Sequence, residues 1–158
     1  MSSLTYNAIS ARSGVGTATL QRYWTSRVDA VSDALRELYS EHPVPDTGDL
    51  AADLRGYLSD LAEVLAQPRT REVLGAVIAE ASTDPELGRA LRERVGRARR
   101  AALAERLGRG PEPLAMGVDD AVDHLFGPLL HRTLLSDIPV DAGFVEETVR
   151  SVIARPPG

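Results

Sequence analysis

Residues 4–27 read LTYNAISARSGVGTATLQRYWTSR, and this stretch predicts two short helices joined by a tight turn. Thr5 is suited to cap the first helix. Gly14 and Gly16 flank Val15, so the first helix can end on a glycine in the left-handed conformation while the valine fills the corner between the helices. This arrangement is typical of a helix-turn-helix.

The second predicted helix, residues 17–23, carries hydroxyl, amide and guanidinium side chains, which suit phosphate oxygens and base edges. Leu20 and the adjoining Trp24 are expected to pack inward. Acidic residues are absent before Asp29, so the first 28 residues have a formal charge of +3 and the remainder a charge of −8. We therefore expect the basic end to face an anion, with an idle solvated face as the alternative.

The stretch TLQRYWTSR, residues 19–27, resembles the recognition-helix signature of the tetracycline-repressor (TetR) family of bacterial regulators, which runs approximately T-L-Y-R-H-F-x-S-K. Gln21 replaces the usual tyrosine, which in the family commonly touches the DNA backbone, and an amide can also bond phosphate. Arg27 replaces the usual lysine at the start of the next helix, where backbone donors and a cation together suit a phosphate. The residues expected to contact double-stranded DNA are Thr5, Thr17, Thr19, Gln21, Arg22, Tyr23 and Arg27.

The resemblance implies an all-α fold, with a helix-turn-helix DNA-binding domain followed by a helical sensor and dimerisation bundle. Ser26 and Asp29 form a variant capping box for a helix over residues 27–39, which in the family joins the two parts. The segment EHPVPDTGD then interrupts the helical pattern with proline, glycine and acidic residues. We accordingly predict a truncated DNA-binding domain with its connecting helix at 1–40 and a ligand-sensing and dimerisation domain at 46–158.

Beyond this break the apolar residues recur at helical spacing, and no segment alternates like a strand. Helices are predicted at 49–66, 84–107, 118–135 and 141–154, with a shorter one after Pro68, and GRGPEPLAMG is predicted to be an exposed loop. The residues expected to face inward are Val73, Leu74, Val77, Ile78 and Ala81 in the short helix, and Leu87, Leu91, Val95, Ala98, Ala102 and Leu103 in the next.

The last two predicted helices carry apolar surfaces wider than a single stripe, more than the core of a short monomer requires. In the TetR family the final two helices pair with their copies in a four-helix dimer interface, so the resemblance implies a homodimer. The residues expected at this interface are Phe126, Leu130, Leu134, Phe144, Val149 and Val152.

A small apolar or amphipathic effector is the second implied partner. Its pocket is predicted between the helices 49–66, 84–107 and 118–135, where Tyr57, Phe126 and His131 supply aromatic and polar groups. The alternative is that these three residues are plain core.

An arginine-rich stretch and a pair of histidines are better explained by structure than by a binding function. Residues 89–109 contain eight arginines, for which a solvated helix face with internal Arg-Glu pairs is preferred to a nucleic-acid contact. His124 and His131 lie seven positions apart on one helix face, but no third ligand of suitable spacing accompanies them, so we expect no metal.

The composition argues against several other classes of protein. Cysteine is absent, so neither a disulfide frame nor a thiolate metal site is available. No apolar run approaches the roughly 20 residues that cross a bilayer, and no secretion signal precedes the first helix, which favours a cytoplasmic protein without a membrane partner. A nucleophile elbow, a phosphate loop and a carboxylate dyad are all missing, so we expect neither an enzyme nor a cofactor.

The sequence thus predicts a homodimeric repressor on a palindromic operator, in which effector binding changes the helix 27–39 and with it the separation of the two recognition helices. A dimeric small-molecule-binding protein of the same family without DNA binding is the alternative. Because the family's first helix has no counterpart before Leu4, residues up to about 25 are expected to be the most mobile part of the protein. Specific DNA binding is expected to be weak compared with that of a version extended upstream.

Overall fold

The computed structural model describes residues 5–40, 42–136 and 138–154; at residues 8, 9, 12, 13 and 38–40 it describes the backbone alone. Within these ranges the regular structure is helical, and one isolated antiparallel bridge joins Leu114 to Ile153. The predicted all-α fold is therefore confirmed. The helices are α1 (Tyr6–Ser13), α2 (Thr17–Tyr23), α3 (Arg27–Ser40), α4 (Leu50–Ala66), α5 (Pro68–Ala81), α6 (Pro85–Ala90), a π-helical segment (Leu91–Gly96), α7 (Arg97–Arg109), α8 (Val118–Leu135) and α9 (Ala142–Val152).

The described chain forms two compact units that do not follow sequence order. The first unit consists of the described residues of 1–41 together with 72–98, and the second of those of 42–71 and 99–158. The division falls inside α5 and inside α7. Residues 72–98, predicted as part of the sensor domain, thus belong to the same unit as the helix-turn-helix. The predicted boundary at 41–45 between a DNA-binding and a sensor domain stays a prediction.

Short-range capping sets several helix starts. Asp29 donates its backbone N–H to Ser26 Oγ (3.1 Å), and Ser26 Oγ in turn donates to the Asp29 carboxylate (2.9 Å), which confirms the predicted capping box. Asp84 accepts the backbone N–H groups of Glu86 and Leu87 ahead of a proline in the first turn of α6. Such bonds join residues two or three positions apart, so a sequence pattern can predict them.

The core of the first unit is built around α3. Val28, Val31 and Leu35 are buried, and α3 packs on α6 and on the π-helical segment. From α5 the unit buries Leu74 and Val77, but Val73 and Ile78 are exposed, contrary to prediction. At 100° per residue both lie about 70° from the centre of the buried stripe, too far round a helix that buries one narrow face.

Three other residues predicted to be inward are also exposed. Val15 is 38% exposed, so the side chain is only partly covered, and Ala98 and Ala102 face away from the core. The methyl side chain of an alanine has too little apolar area to decide which face of a helix is buried. The buried face that contains Leu103 therefore does not include the two alanines.

The second unit packs α4, α8 and α9 against one another. The whole predicted stripe of α4 is buried, with Leu50, Leu54 and Leu65 wholly so. The segment 108–117 contains no buried residue, as predicted for an exposed loop, but it is also hydrogen-bonded to the end of α9. Ala115 N donates to the Val152 carbonyl oxygen (2.9 Å) and Ala154 N to that of Pro113 (2.8 Å). This loop is anchored to the end of α9.

Candidate nucleic-acid interface and sensor core

The turn between α1 and α2 has the predicted glycine geometry. Gly14 has a φ of +73°, and its N–H donates to the Ser10 carbonyl oxygen (2.9 Å), so the glycine ends α1 in the left-handed conformation. Gly16 then precedes α2, whose first backbone bonds return to it. Leu20 is buried, as expected for the residue that holds α2 to the unit.

The opposite face of α2 is exposed and polar. Thr19, Gln21 and Arg22 lie in solvent, Thr17 is half-buried, and the Arg22 guanidinium carbon is 5.2 Å from the centre of the exposed Tyr23 ring. Thr5 is exposed directly before α1. The structure thus presents five of the seven candidate contact residues to solvent, as a DNA-reading surface requires. The contacts themselves stay predictions.

Two hydrogen bonds that the sequence did not predict hold the end of α2. The Tyr6 hydroxyl donates to the Trp24 carbonyl oxygen (2.9 Å), and Trp24 Nε1 donates to Asp33 Oδ2 (3.1 Å). Trp24 was expected only to pack, but here it also links the recognition helix to α1 and α3. The partners are 18 and nine positions away, beyond the reach of a local pattern.

The first turn of α3 carries a second set of hydrogen bonds. The Asp29 carboxylate accepts from Thr25 Oγ1 (2.6 Å), from Arg94 Nη1 in the π-helical segment (2.5 Å) and from Ser26 Oγ. The hydrogen bond from Thr25, followed by those from Arg94 and Ser26, holds the pKa of Asp29 far below its usual range. The start of α3, directly after the recognition helix, is therefore bonded to the π-helical segment.

Arg27, predicted as a phosphate contact, is engaged inside the first unit. Its Nη1 bonds Glu80 at the end of α5, and its Nη2 lies 2.6 Å from Asp84 Oδ2. The hydrogen bond with Glu80 raises the pKa of Arg27, while partial burial opposes the increase. Both terminal guanidinium nitrogens of Arg27 thus have carboxylate partners.

The candidate sensor residues divide between core and surface. Tyr57 and Phe126 are buried in the second unit with ring centroids 6.5 Å apart, and the Arg99 guanidinium carbon is 3.2 Å from the centroid of Phe126. His131 is exposed, so it does not share their buried surroundings. The site therefore stays a prediction, and Arg99 is a neighbour that the sequence did not identify.

The candidate dimer residues also divide. Phe126, Val149 and Val152 are buried within the single chain, where α9 packs on α4 and α8. They belong to the fold of the monomer and leave Leu130, Leu134 and Phe144, which are half-buried, for a second copy. Two apolar residues not predicted for this role are more exposed: Leu135 at 79% and Ile138 at 59%.

A buried ion pair in the second unit was also missed. Asp53 Oδ2 accepts from Arg106 Nε (2.9 Å) and Nη2 (2.5 Å), and the two side chains are 1% and 4% exposed. Thr47 donates both its backbone N–H and its hydroxyl to the same carboxylate. The bonds from Thr47 and then those from Arg106 lower the pKa of Asp53, against the effect of burial.

The arginine-rich stretch 89–109 is largely accounted for by pairs within the protein. Arg89 bonds Glu93 and Arg109 bonds Glu105, both one helical turn away. Others reach acidic residues of neighbouring elements, such as Arg100 with Asp123 and Asp119. These contacts support the preferred explanation over a nucleic-acid surface. In the part of the chain that the structure covers, no helix is long and apolar enough to cross a membrane.

Comparison with known proteins points in one direction. Residues 44–152 match the family described as tetracyclin repressor-like, C-terminal domain. Over 151 residues the chain is 24% identical to YdeS, an uncharacterized HTH-type transcriptional regulator of Bacillus subtilis (strain 168), covering 92% of this chain and 76% of that protein. The crystal structure of the TetR family transcription regulator SCO0332 superimposes with a TM-score of 0.72 at 34% identity, covering 92% of this chain and 83% of that one.

Proposed function

This chain belongs to the tetracycline-repressor family of transcriptional regulators, and we propose that it acts as a ligand-responsive repressor, as a cytoplasmic homodimer on a palindromic operator. The single observation that carries this proposal is the exposed polar face of α2, set on a helix whose other side is anchored by buried Leu20. A recognition helix needs this combination of a fixed back and a solvent-facing row of donors.

The proposed reader uses Gln21, Arg22 and Tyr23 with Thr17 and Thr19. Arg22 suits a phosphate or a guanine edge, while the Gln21 amide suits a phosphate or an adenine edge. Two copies of α2 must lie roughly 34 to 36 Å apart to enter successive major grooves, which is why a dimer and a palindrome belong to the same proposal.

The proposed dimer surface lies along α8 and the start of α9. Leu130, Leu134 and Phe144 are half-buried, and the adjoining Leu135 is almost fully exposed. Apolar side chains that a monomer leaves in solvent lower the free energy of association when a second copy covers them.

The proposed effector is small and apolar or amphipathic. Tyr57 and Phe126 offer buried aromatic surface, and the neighbouring Arg99 offers one cation among apolar atoms. Pockets for such molecules combine apolar walls with a few placed polar groups. Binding there would have to displace side chains that now contact one another, and this displacement is the proposed source of the conformational change.

Selection of duplexes from a random-sequence library tests the proposal. The expected result is enrichment of one palindrome, bound by a dimer with an affinity that falls steeply with salt. Enrichment without a palindrome would contradict the dimeric reader. A dimer that enriches no sequence and binds all duplexes equally would instead favour the small-molecule-binding alternative.

A further inference from the structure

We infer that a DNA phosphate competes with Glu80 and Asp84 for the guanidinium of Arg27. The two carboxylates bind this guanidinium, and the phosphate must displace them when the recognition helix docks. This inference rests on the proposed DNA-binding function and adds an internal competitor that limits affinity. The acidic pair thereby acts as an autoinhibitory contact on the reader.

The position of Arg27 makes the competition direct. It is the first residue of α3, four positions after the end of α2, at a helix N-terminus where backbone donors favour an anion. Its side chain is 31% exposed, so a phosphate can approach the guanidinium, whereas Glu80 is only 8% exposed. The two carboxylates engage both terminal nitrogens, and their negative charges oppose the approach of a phosphate to the same guanidinium.

The acidic pair is held firmly, so it cannot simply follow Arg27 toward DNA. Asp84 caps α6 through Oδ1 while Oδ2 faces Arg27. Gly88 of α6 lies so close to the end of α5 that a Cβ there would be 2.9 Å from the Ala81 carbonyl oxygen. The turn carrying both carboxylates is therefore backed by tight packing.

The hydrogen bonds of Asp29 do not compete with DNA in the same way. Asp29, two residues further along α3, is bonded to Arg94, Thr25 and Ser26, and an anionic side chain offers DNA no contact. Its bonds hold the backbone of the turn after α2 while Arg27 changes partner. Docking thus exchanges both ion pairs of Arg27 and leaves the pair between Asp29 and Arg94 in place.

Glu80→Gln is the variant that tests this, measured by anisotropy titration at several salt concentrations with a short library-enriched duplex and a scrambled duplex. We expect the affinity for both duplexes to increase about three- to tenfold, with an unchanged salt slope. This increase lies between the free energies typical of exposed ion pairs and those of buried charge-assisted hydrogen bonds. Arg27→Ala should reduce the magnitude of the salt slope by about 1.8, because each subunit of the proposed dimer loses one phosphate contact. In the Arg27→Ala background, Glu80→Gln should have no effect.

Glu86→Gln is the matched control, because it removes the same charge from an exposed site in the first turn of α6. If Glu86→Gln tightens binding as much as Glu80→Gln, or if Glu80→Gln still tightens it without Arg27, general electrostatics explains the gain and the inference is overturned. Loss of preference for the enriched duplex in the wild type would refute the proposed function instead, while the scrambled duplex still reports on Arg27.

Should Glu80→Gln fail to fold, carbon NMR of the wild-type carboxylates gives the same information. The Glu80 carboxyl signal is expected to shift when duplex is added, because that group loses its guanidinium partner. A Glu80 signal that stays unchanged at saturating duplex would show that Arg27 never leaves.

Discussion

Replacing Arg106 with methionine tests the stabilising role of this buried side chain, which pairs with Asp53 and also donates to the Pro45 carbonyl oxygen (3.2 Å). The substitution keeps an unbranched apolar stem but removes both guanidinium bonds to Asp53 Oδ2, leaving a carboxylate that is 1% exposed. Thr47 continues to donate two hydrogen bonds to that carboxylate. The loss of unfolding free energy should therefore lie in the lower half of the range measured when one partner of a buried ion pair is removed. For a chain of this size that corresponds to a fall in Tm of about 6–16 °C.

The pH dependence of the same variant gives a second, independent measurement. Hydrogen bonds from Thr47 and Arg106 depress the pKa of Asp53 in the folded protein, so its stabilising contribution is present above the unfolded pKa and is lost as pH falls through the folded pKa. Thermal melts followed by circular dichroism should therefore show the largest difference from wild type near neutral pH. The difference should narrow below about pH 4, the ordinary pKa of aspartate.

Two comparison variants make the reasoning refutable. Arg109→Met on the same helix removes an arginine that is 61% exposed, and it should change Tm by no more than about 2 °C. Adding Asp53→Asn to Arg106→Met should restore part of the lost stability, because the uncompensated charge is gone. If Arg106→Met melts at the wild-type temperature, or if its deficit is unchanged at low pH, the pair is not what stabilises this part of the core.

Three further predictions concern the reader and the dimer. Leu130→Arg should yield a folded monomer in analytical ultracentrifugation, whereas Val149→Arg, at a site buried in the single chain, should unfold it; a dimeric Leu130→Arg protein would remove α8 from the interface. Arg22→Ala should weaken binding to every duplex and reduce the magnitude of the salt slope by about 1.8, one phosphate contact from each subunit of the proposed dimer, if Arg22 contacts phosphate. A slope equal to that of wild type with altered sequence preference would assign Arg22 to a base. Trp24→Phe keeps an aromatic side chain, although a smaller one, and removes the bond to Asp33. It should speed amide exchange in α2 without changing exchange in α4; equal protection of α2 in both proteins would show that packing alone holds the helix.

The helical elements were predictable because their signals are local. Apolar residues at helical spacing marked the buried face of α4, and the Ser26 and Asp84 caps bond groups two or three positions away. The stretch 19–27 likewise carries its family resemblance in nine consecutive residues. Such features depend on backbone geometry that a short segment adopts wherever it is placed.

The sequence determined by itself that this chain is helical, that it begins with a helix-turn-helix of TetR type and that α2 has a polar face. Only the tertiary structure decided that Arg27 meets acidic residues 53 and 57 positions away, and that Arg106 meets Asp53 across a similar separation. It also decided that Val149 is covered by its own chain. A hydrophobic pattern shows that a face must be buried but not which surface covers it, and an ion pair between distant residues depends on how whole helices pack.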